Sequence, residues 1–390
     1  MFNYKTYRED CISFLQRLVQ TPSVNLQDLE AQIVRVIEEE AKKLDLPYQI
    51  FQRADGRPNI FVGNPESFTK NDSLLLIAHT DTVPVGDLSS WERPPFSGEI
   101  KDDRLYGRGA VDCKGGIALS LYVLKILKDM GKLDLAKFIG VADEESGANS
   151  DLGLKFVLEK GLDAQGAIYT YGGKGDLYQS INIGHRGVIR VRVTFKGEST
   201  HSGSLEWQNR LHGINAIDPM LKFMLGMQQL SFPEKNSYFP DYRFTATPTL
   251  LNAGHGESIV PDQASVLYDI RTLPEQNLNK VLEKIEEIAH GATSKHGFIL
   301  DVKTSVPAAL SDPHAFFIQK TVAVHEEIFA TSPVLKGSGP ANESYMLIEK
   351  GIPTIAGYGP SGKGFHALNE YADLNSLERS LNFLVRLALR

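Results

Sequence analysis

Residues 74–78 (LLLIA) form an apolar run in which no polar residue alternates with the apolar ones. A strand covered on both faces, as in a parallel sheet, has this composition, whereas a half-exposed strand alternates apolar and polar residues. Similar short runs occur at 59–62, 137–142 and 167–170, and residues 115–130 have apolar side chains at helical spacing. Strands that alternate with helices predict an α/β protein with a mostly parallel central sheet.

The pattern changes after the last of these runs. Residues 188–197 (VIRVRVTFKG) begin with strict alternation of apolar and basic residues, which is typical of a strand exposed on one face. Helix, strand, strand, helix and strand signals follow, and together they predict an α+β sandwich with one sheet and one layer of helices. We therefore predict a catalytic α/β domain made of residues 1–184 and 304–390, with a smaller α+β domain inserted at 185–303.

Charge and hydropathy exclude several classes of partner. The formal net charge is −7, from 41 Lys and Arg residues against 48 Asp and Glu residues, which argues against nucleic-acid and anionic-membrane surfaces. No apolar run approaches the roughly 18 residues of a transmembrane helix, and the first residues are too charged for a signal peptide. Two cysteines leave no disulfide framework, which fits a reducing compartment. These observations predict a cytoplasmic protein.

Four groups of acidic residues and histidines each lie just beyond a predicted buried strand, where ligand sites of open α/β sheets collect. They contain His79 with Asp81, then Asp112, then Glu144 with Glu145, and finally His366. Taken alone, each group has an ordinary explanation. A strand-end histidine can lie beside an Asx-turn, an aspartate can cap a helix, and adjacent glutamates are usually solvated.

The order and spacing of these groups are more specific than any one group. Asp112 follows His79 by 33 residues, and Glu144 follows Asp112 at nearly the same interval, so each step spans one strand–helix unit. Imidazole and carboxylate ligands from successive strand ends are typical of hydrolytic sites that hold Zn²⁺ or a related divalent ion. Asp81 lies two residues after His79 on an extended segment, so its side chain could orient the imidazole by a hydrogen bond.

The motifs HTDTVP, GRGAVDCKGG, DEESG and FHALNEY together resemble the M20 family of co-catalytic zinc amidohydrolases, over nearly the whole chain. The resemblance implies that His79 binds one metal ion and that Asp112 bridges two. It implies that Glu145 and His366 bind the other ion. The expected cofactor is Zn²⁺, as one or two ions, with Co²⁺ or Mn²⁺ as alternatives. The family also has a non-proline cis peptide bond after the bridging aspartate, here between Asp112 and Cys113.

The resemblance also implies catalytic, substrate-binding and dimer contacts. Glu144 would be the general base toward water, and Asp81 would be the partner of His79. His201 in the segment STHSG would stabilise the developing oxyanion in the other subunit of a homodimer, unless it is an ordinary loop histidine. Arg271 in the segment DIRTLP would pair with a substrate carboxylate, unless it pairs with a carboxylate of its own chain.

This chain departs from the family pattern at one ligand position. After residues 167–170, where the family has an Asp or a Glu, it has Tyr171. Three explanations stay open: Tyr171 binds as a phenolate, the nearby Asp176 replaces the carboxylate, or that ion is weak or absent. Segments 258–261 and 339–344 also differ from the family, and we expect both to face the acyl or amino-acid part of the substrate.

The function that these features predict is metal-dependent hydrolysis of the amide bond in an N-acyl amino acid, as in a deacylase or deacetylase. A dipeptidase or carboxypeptidase of the same family is one alternative. A non-catalytic family member that binds a ligand or a partner is another. Only Tyr171 supports the non-catalytic alternative, whereas a protein without catalysis would have no chemical need for Glu144. The resemblance further implies a homodimer that forms through the inserted domain.

Overall fold

The computed structural model describes residues 4–172, 179–293 and 297–390. These residues divide into two compact units. The first unit contains the described parts of Met1–His185, Leu310–Ser338 and Asn342–Arg390. The second unit contains the described parts of Arg186–Ala309 together with Gly339–Ala341. Among the described helices, none combines the length and the apolar character that crossing a bilayer requires.

The segment before residue 186 alternates between helices and strands. Its helices are α1 (Lys5–Gln20), α2 (Ala31–Lys43), α3 (Gly115–Asp129) and α4 (Leu154–Glu159). Its strands are β1 (Tyr48–Gln52), β2 (Pro58–Val62), β3 (Leu74–His79), β4 (Ile100–Lys101), β5 (Arg104–Tyr106), β6 (Ala136–Val141), β7 (Gly166–Tyr169) and β8 (Ser180–His185). Helix α2 ends before Pro47, which cannot continue a helix, and the chain then enters strand β1 at Tyr48.

The next segment has the predicted order of strand, helix, strand, strand, helix and strand, with one additional short helix. Its elements are β9 (Gly187–Lys196), α5 (Leu205–Gln208), α6 (Ile217–Gln229), β10 (Thr245–Ala253), β11 (Gln263–Thr272), α7 (Leu278–Ala292) and β12 (Phe298–Val306). The last segment returns to helices separated by short strands. Its elements are β13 (Ala309–Leu310), α8 (Phe316–Phe329), β14 (Val334–Ser338), α9 (Ser344–Glu349), β15 (Thr354–Ile355), β16 (Gly362–Lys363), β17 (Tyr371–Asp373) and α10 (Leu374–Leu389).

The central sheet of the first unit has the spatial order β1, β2, β6, β3, β7 and β15. Strand β3 pairs in parallel with β6 and β7, and β7 pairs in parallel with β15, whereas β1 and β2 are antiparallel. Every residue of β3 and β6 is buried, which explains why their sequences do not alternate. The mostly parallel sheet confirms the predicted α/β class. Because parallel strands end at one edge, the residues that follow β3, β6 and β7 lie near one another.

A second sheet, with the order β16, β17, β5 and β4, supplies the rest of the site. Asp112 lies on the turn Ala110–Lys114, between β5 and α3, and His366 lies in the loop between β16 and β17. The expectation that all four groups follow buried strands of the central sheet is therefore wrong for these two residues. The strands of the second sheet have only two or three residues each, which is too short for a hydrophobic pattern to reveal them.

The second unit is an antiparallel sheet with helices α6 and α7 packed against it. The sheet has the order β10, β11, β9 and β12. Burial along β9 alternates, so Val191, Val193 and Phe195 point into a core that also contains Phe223 of α6 and Ile285 of α7. The alternation read from the sequence of β9 therefore corresponds to one buried face and one more exposed face.

Candidate active site

His79, Asp112, Glu145 and His366 come together at the edge of the central sheet. The Nε2 atom of His79 lies 3.0 Å from one carboxylate oxygen of Asp112. The Nε2 atom of His366 lies 3.4 Å from the other oxygen of Asp112 and 3.2 Å from a carboxylate oxygen of Glu145. Asp112 therefore lies between the two imidazoles and presents one oxygen to each.

The atoms in this cluster suit a divalent ion. The donor atoms of Asp112, Glu145 and His366 all lie within 4.8 Å of one another, and so do those of His79, Glu144 and Glu145. Two imidazoles and several carboxylates are a typical donor set for Zn²⁺, Co²⁺ or Mn²⁺. Carboxylates this close together repel one another, and a bound cation would relieve that repulsion. The residues present therefore fit a metal centre.

His79 is the last residue of β3, and its ring is fixed by Asp81. The Nδ1 atom lies 2.9 Å from the backbone carbonyl oxygen of Asp81 and 3.5 Å from a carboxylate oxygen of the same residue. The sequence predicted a hydrogen bond to the carboxylate, but the carbonyl oxygen is the closer acceptor. When Nδ1 donates to either oxygen, the lone pair of Nε2 faces Asp112 and is available to a metal ion.

The carboxylate of Asp81 instead holds the backbone of the turn that contains both glutamates. It accepts hydrogen bonds from the backbone N–H groups of Glu144, at 3.2 Å, and Glu145, at 3.0 Å. It also accepts one from the side chain of Asn25, at 2.5 Å. Asn25 could not be predicted as part of the site, because nothing in the local sequence TPSVN indicates which distant residue its amide contacts.

A second buried carboxylate, that of Glu370, holds the turn that contains Asp112. It accepts hydrogen bonds from the backbone N–H groups of Gly109, Val111 and Asp112, at 3.0–3.1 Å. The guanidinium of Arg108 donates to the same carboxylate at 2.8 Å. The Asp112–Cys113 peptide bond in this turn is cis, as the resemblance implied. Glu370 belongs to one of the four motifs, but its positioning of Asp112 was not predicted.

The charged groups in the cluster shift one another's pKa values. Burial would raise the pKa of Asp112, but hydrogen bonds from His366 and His79 hold it below its usual range. The hydrogen bonds to Asp112 and Glu145 raise the pKa of His366 to about 10. Burial raises the pKa of Glu145, and the hydrogen bond from His366 only partly offsets this. Without a metal ion, the cluster therefore retains protons that a ligand set must lose.

Glu144 is the acidic residue of the turn that suits proton transfer. Burial raises its pKa well above the usual value, and the nearby carboxylates of Glu145, Glu343 and Asp81 raise it further, while His79 opposes the shift. Glu343 is itself buried, and burial followed by the charge of Asp81 raises its pKa to about 8. Glu343 was not predicted as a site residue, although it belongs to a segment that the sequence analysis expected to face the substrate.

Tyr171 follows β7 at the position where the family pattern has a carboxylate. Its ring lies edge-on to the rings of Phe365, at 6.4 Å, and Tyr169, at 6.1 Å between centroids. Burial and the charge of Asp112 raise the pKa of Tyr171, so a phenolate at this position would be costly without a cation. The alternative ligand Asp176 lies outside the described residues.

The other two predicted residues lie in the second unit. His201 is exposed, and its Nδ1 atom accepts a hydrogen bond from the backbone N–H of Gly203 at 2.9 Å. The guanidinium of Arg271 pairs with both carboxylate oxygens of Asp269, at 2.6 and 3.1 Å. The intramolecular ion pair that the sequence analysis left open for Arg271 is therefore formed.

Comparison with known proteins identifies the family. The sequence model of peptidase family M20/M25/M40 matches residues 75–390. The chain belongs to this family. Among curated M20-like relatives, an uncharacterized metallohydrolase of Methanocaldococcus jannaschii is 29% identical, over 82% of this chain and 81% of its own. The succinyl-diaminopimelate desuccinylase of Legionella pneumophila is 26% identical, over 95% of this chain and 96% of its own.

The fold is also that of solved M20 structures. A dinuclear metal-binding peptidase of the M20 family from Bacillus subtilis superimposes with a TM-score of 0.71 at 16% identity, over 99% of this chain and 98% of that one. This likeness shows the shared fold. As a member of the M20 family, the protein is a metal-dependent amidohydrolase, which confirms the family and the enzyme class predicted from the motifs.

We expect metal binding at this cluster to release protons. The pKa of His366 is raised to about 10, so its imidazole is protonated at neutral pH in the metal-free protein and must lose that proton to bind a cation. Zn²⁺ affinity should therefore increase with pH, by about one decade per pH unit for each proton released. Isothermal titration calorimetry in buffers of different ionisation enthalpy would count these protons.

The variant His366→Ala should release fewer protons than the wild type, whereas His314→Ala, at an exposed histidine, should release the same number. Zn²⁺ affinity that does not change between about pH 6 and pH 8 would contradict this expectation.

Proposed function

We propose that this enzyme hydrolyses the amide bond of an N-acyl amino acid, with Glu144 as general base and His79, Asp112, Glu145 and His366 as metal ligands. Membership of the M20 family and the similarity to a desuccinylase, whose name describes removal of an acyl group, support this reaction. A dipeptidase or carboxypeptidase activity is the alternative, because the family is a peptidase family and a dipeptide presents the same amide and carboxylate groups.

The different neighbours of the two adjacent glutamates, Glu144 and Glu145, are the main support for the proposal. A carboxylate oxygen of Glu145 lies 3.2 Å from the Nε2 atom of His366. A donor atom of Glu145 also lies within 4.8 Å of a donor atom of Asp112. The Glu144 carboxylate lies within 4.8 Å of donor atoms of His79 and Glu145. One glutamate can therefore bind the ion while its neighbour is left to move protons.

The reaction follows from these positions. A divalent ion in the cluster would polarise the substrate carbonyl and lower the pKa of a water molecule. Glu144 accepts a proton from that water as the oxygen forms a bond to the amide carbon. It then donates the proton to the leaving nitrogen as the C–N bond breaks, so the products are a carboxylic acid and an amine, which at neutral pH become a carboxylate and an ammonium group. Burial raises the pKa of Glu144, so its carboxylate binds a proton more strongly than an exposed glutamate does.

The variant Glu144→Gln tests this assignment. It keeps the shape of the side chain but cannot accept a proton, so kcat should fall by about 10²–10⁴-fold, while the zinc content stays at the wild-type level. Activity would be measured on a panel of N-acetyl and N-succinyl amino acids and of dipeptides, and zinc by mass spectrometry. Glu39→Gln, at an exposed glutamate of α2, is the matched control. Full activity in Glu144→Gln would refute the role of this residue.

We propose Zn²⁺ as the native ion, with Co²⁺ and Mn²⁺ as alternatives, and unequal binding at two positions. Asp112, Glu145 and His366 offer three donor atoms that lie close together on one side of the cluster. On the other side, His79 shares Asp112, but Tyr171 stands where the family pattern has a carboxylate. A neutral phenol is a weaker ligand than a carboxylate, so an ion beside His79 should be bound less tightly.

Metal counting tests this inequality. After dialysis against a weak chelator, the wild type should retain about one zinc ion per chain, and Tyr171→Glu about two, because the substitution restores a carboxylate. Mass spectrometry of the dialysed protein gives the count without reference to activity. Tyr171→Phe is the control, since it removes the hydroxyl and adds no charge. Two tightly held ions in the wild type would contradict the proposal.

We also propose that the protein forms a homodimer through the second unit, in which His201 serves the site of the other copy. In the described part of the chain, β11 is the only strand paired with β10, so β10 is an edge strand. Its last seven residues are exposed, and Leu250 and Leu251 are each 53% exposed. An edge strand with exposed leucines is a ready surface for pairing with a second copy of the chain.

Leu251→Lys tests the dimer. A buried charge at the proposed interface would cost several kcal/mol, so the variant should be monomeric at concentrations at which the wild type is dimeric. Light scattering coupled to size-exclusion chromatography measures the mass. Phe316→Lys adds the same charge at an exposed apolar residue of the first unit and should leave the mass unchanged. An unchanged mass in Leu251→Lys would exclude this strand from the interface.

A cytoplasmic location is part of the same proposal. Cys11 and Cys113 are both buried and free, so the described structure contains no disulfide. Burial raises the pKa of each thiol to about 12, so neither thiol is a reactive thiolate at neutral pH. Unreactive free thiols are compatible with a reducing compartment.

A further inference from the structure

We propose that Asn25, with the ion pair of Glu30 and Arg57, positions the turn that contains Glu144, and that the enzyme depends on this network for its rate. The inference rests on the proposed role of Glu144 as general base. None of the three residues belongs to a recognised motif, and all three are buried.

The turn begins at Asp143, two residues after the end of β6, in a backbone conformation that is unfavourable for most residues. Asp143 has a φ angle of 64°, in the left-handed region that is unfavourable for a non-glycine residue. Its carboxylate is held by the hydroxyl of Ser150 at 2.5 Å and by the hydroxyl of Ser146. The direction in which the Glu144 side chain leaves the turn therefore depends on how Asp143 is held.

Glu30 and Arg57 both form hydrogen bonds with Asp143, Glu30 with its backbone and Arg57 with its side chain. The Nε and Nη2 atoms of Arg57 donate to the two carboxylate oxygens of Glu30, at 2.5 and 2.6 Å, in a fork geometry. The Nη2 atom of Arg57 also donates to the Asp143 carboxylate at 2.7 Å, while the backbone N–H of Asp143 donates to Glu30 at 3.2 Å. Buried, charge-assisted bonds of this kind are stronger and more directional than neutral ones.

Asn25 joins this turn to the segment that follows His79. Its amide nitrogen donates to the carboxylates of Asp81, at 2.5 Å, and Asp143, at 2.9 Å. Its backbone N–H donates to the carbonyl oxygen of Thr82 at 2.9 Å, which fixes the residue to the loop after β3. Asp81 in turn accepts the backbone N–H of Glu144, so a single neutral side chain connects the supports of both segments.

The neutrality of Asn25 matters as much as its two donors. Asp81 and Asp143 are two carboxylates that share the donors of one amide group, and without those donors only Arg57 and the hydroxyls of two serines at Asp143 would offset their repulsion. Their repulsion would move the turn, and with it the carboxylate of Glu144. A displacement of about 1 Å in a catalytic group is enough to lower a rate by about 10²-fold. Asn25 does not reach the reacting atoms, so it is a positioning residue.

Asn25→Asp is the sharpest test, because it keeps the shape of the side chain and removes both donors. In the zinc-loaded full-length enzyme, assayed on the best N-acyl amino acid of the panel above, kcat should fall by about 10–100-fold, with KM changed by less than about threefold. Asn64→Asp is the matched control. Its amide also donates to an aspartate, Asp134, at 2.8 Å, but at an exposed site away from the turn, so kcat should not change.

A double-mutant cycle separates positioning of Glu144 from general damage. In the Glu144→Gln background there is no base to position, so adding Asn25→Asp should lower the residual kcat by less than about threefold. An equal loss in both backgrounds would overturn the proposal, and so would a wild-type kcat in Asn25→Asp. If Glu144→Gln alone keeps full activity, the proposed function fails, and the single variant Asn25→Asp then reports separately on Asn25.

A milder variant covers the case in which Asn25→Asp does not fold, as judged by circular dichroism and zinc content. Ser150→Ala removes one hydrogen bond to Asp143 and leaves the amide bridge intact. We expect a kcat loss of about 3–10-fold that disappears in the Glu144→Gln background, since only one of the several hydrogen bonds that hold Asp143 is removed. No loss, or a loss that persists in that background, would overturn the proposal.

Discussion

Buried carboxylates that accept backbone N–H groups are the interaction on which this site depends. Asp81 holds the turn of Glu144 and Glu145 in this way, and Glu370 holds the turn of Asp112. Such bonds act on the main chain, so they fix where a side chain starts without using its functional atoms. The carboxylates of Asp112, Glu144 and Glu145, which we propose as ligands and base, are thereby placed close together while their oxygen atoms stay available to a cation or a proton.

The same arrangement concentrates negative charge where water is largely excluded. Burial raises the pKa values of Glu144, Glu145 and Glu343, and each carboxylate disfavours ionisation of the next. His366 and His79 offset part of this charge in the metal-free protein, and a divalent ion would offset more of it. The raised pKa values and the proposed affinity for a cation thus have one physical origin, which is the close spacing of buried carboxylates.

Much of the fold could be predicted, because the spacing of apolar residues within short segments indicates which elements they form. The apolar run without alternation in β3 indicated a strand buried on both faces, and the alternating run in β9 indicated a strand buried on one face. The second sheet of the first unit could not be predicted in this way, since its strands have too few residues to show a period. The folded chain therefore brings Asp112 and His366 together, but from a different kind of element than the sequence predicted.

Sequence alone determined the chemical types of the donors, their order along the chain and the family to which they belong. Tertiary structure decided which supports hold them. Asn25 meets Asp143 across 118 residues and Arg108 meets Glu370 across 262. Contacts at such separations leave no periodic or local signal, because any buried polar residue could satisfy many partners. Only the folded chain shows which donor reaches which carboxylate, since that depends on how strands and loops far apart in sequence pack together.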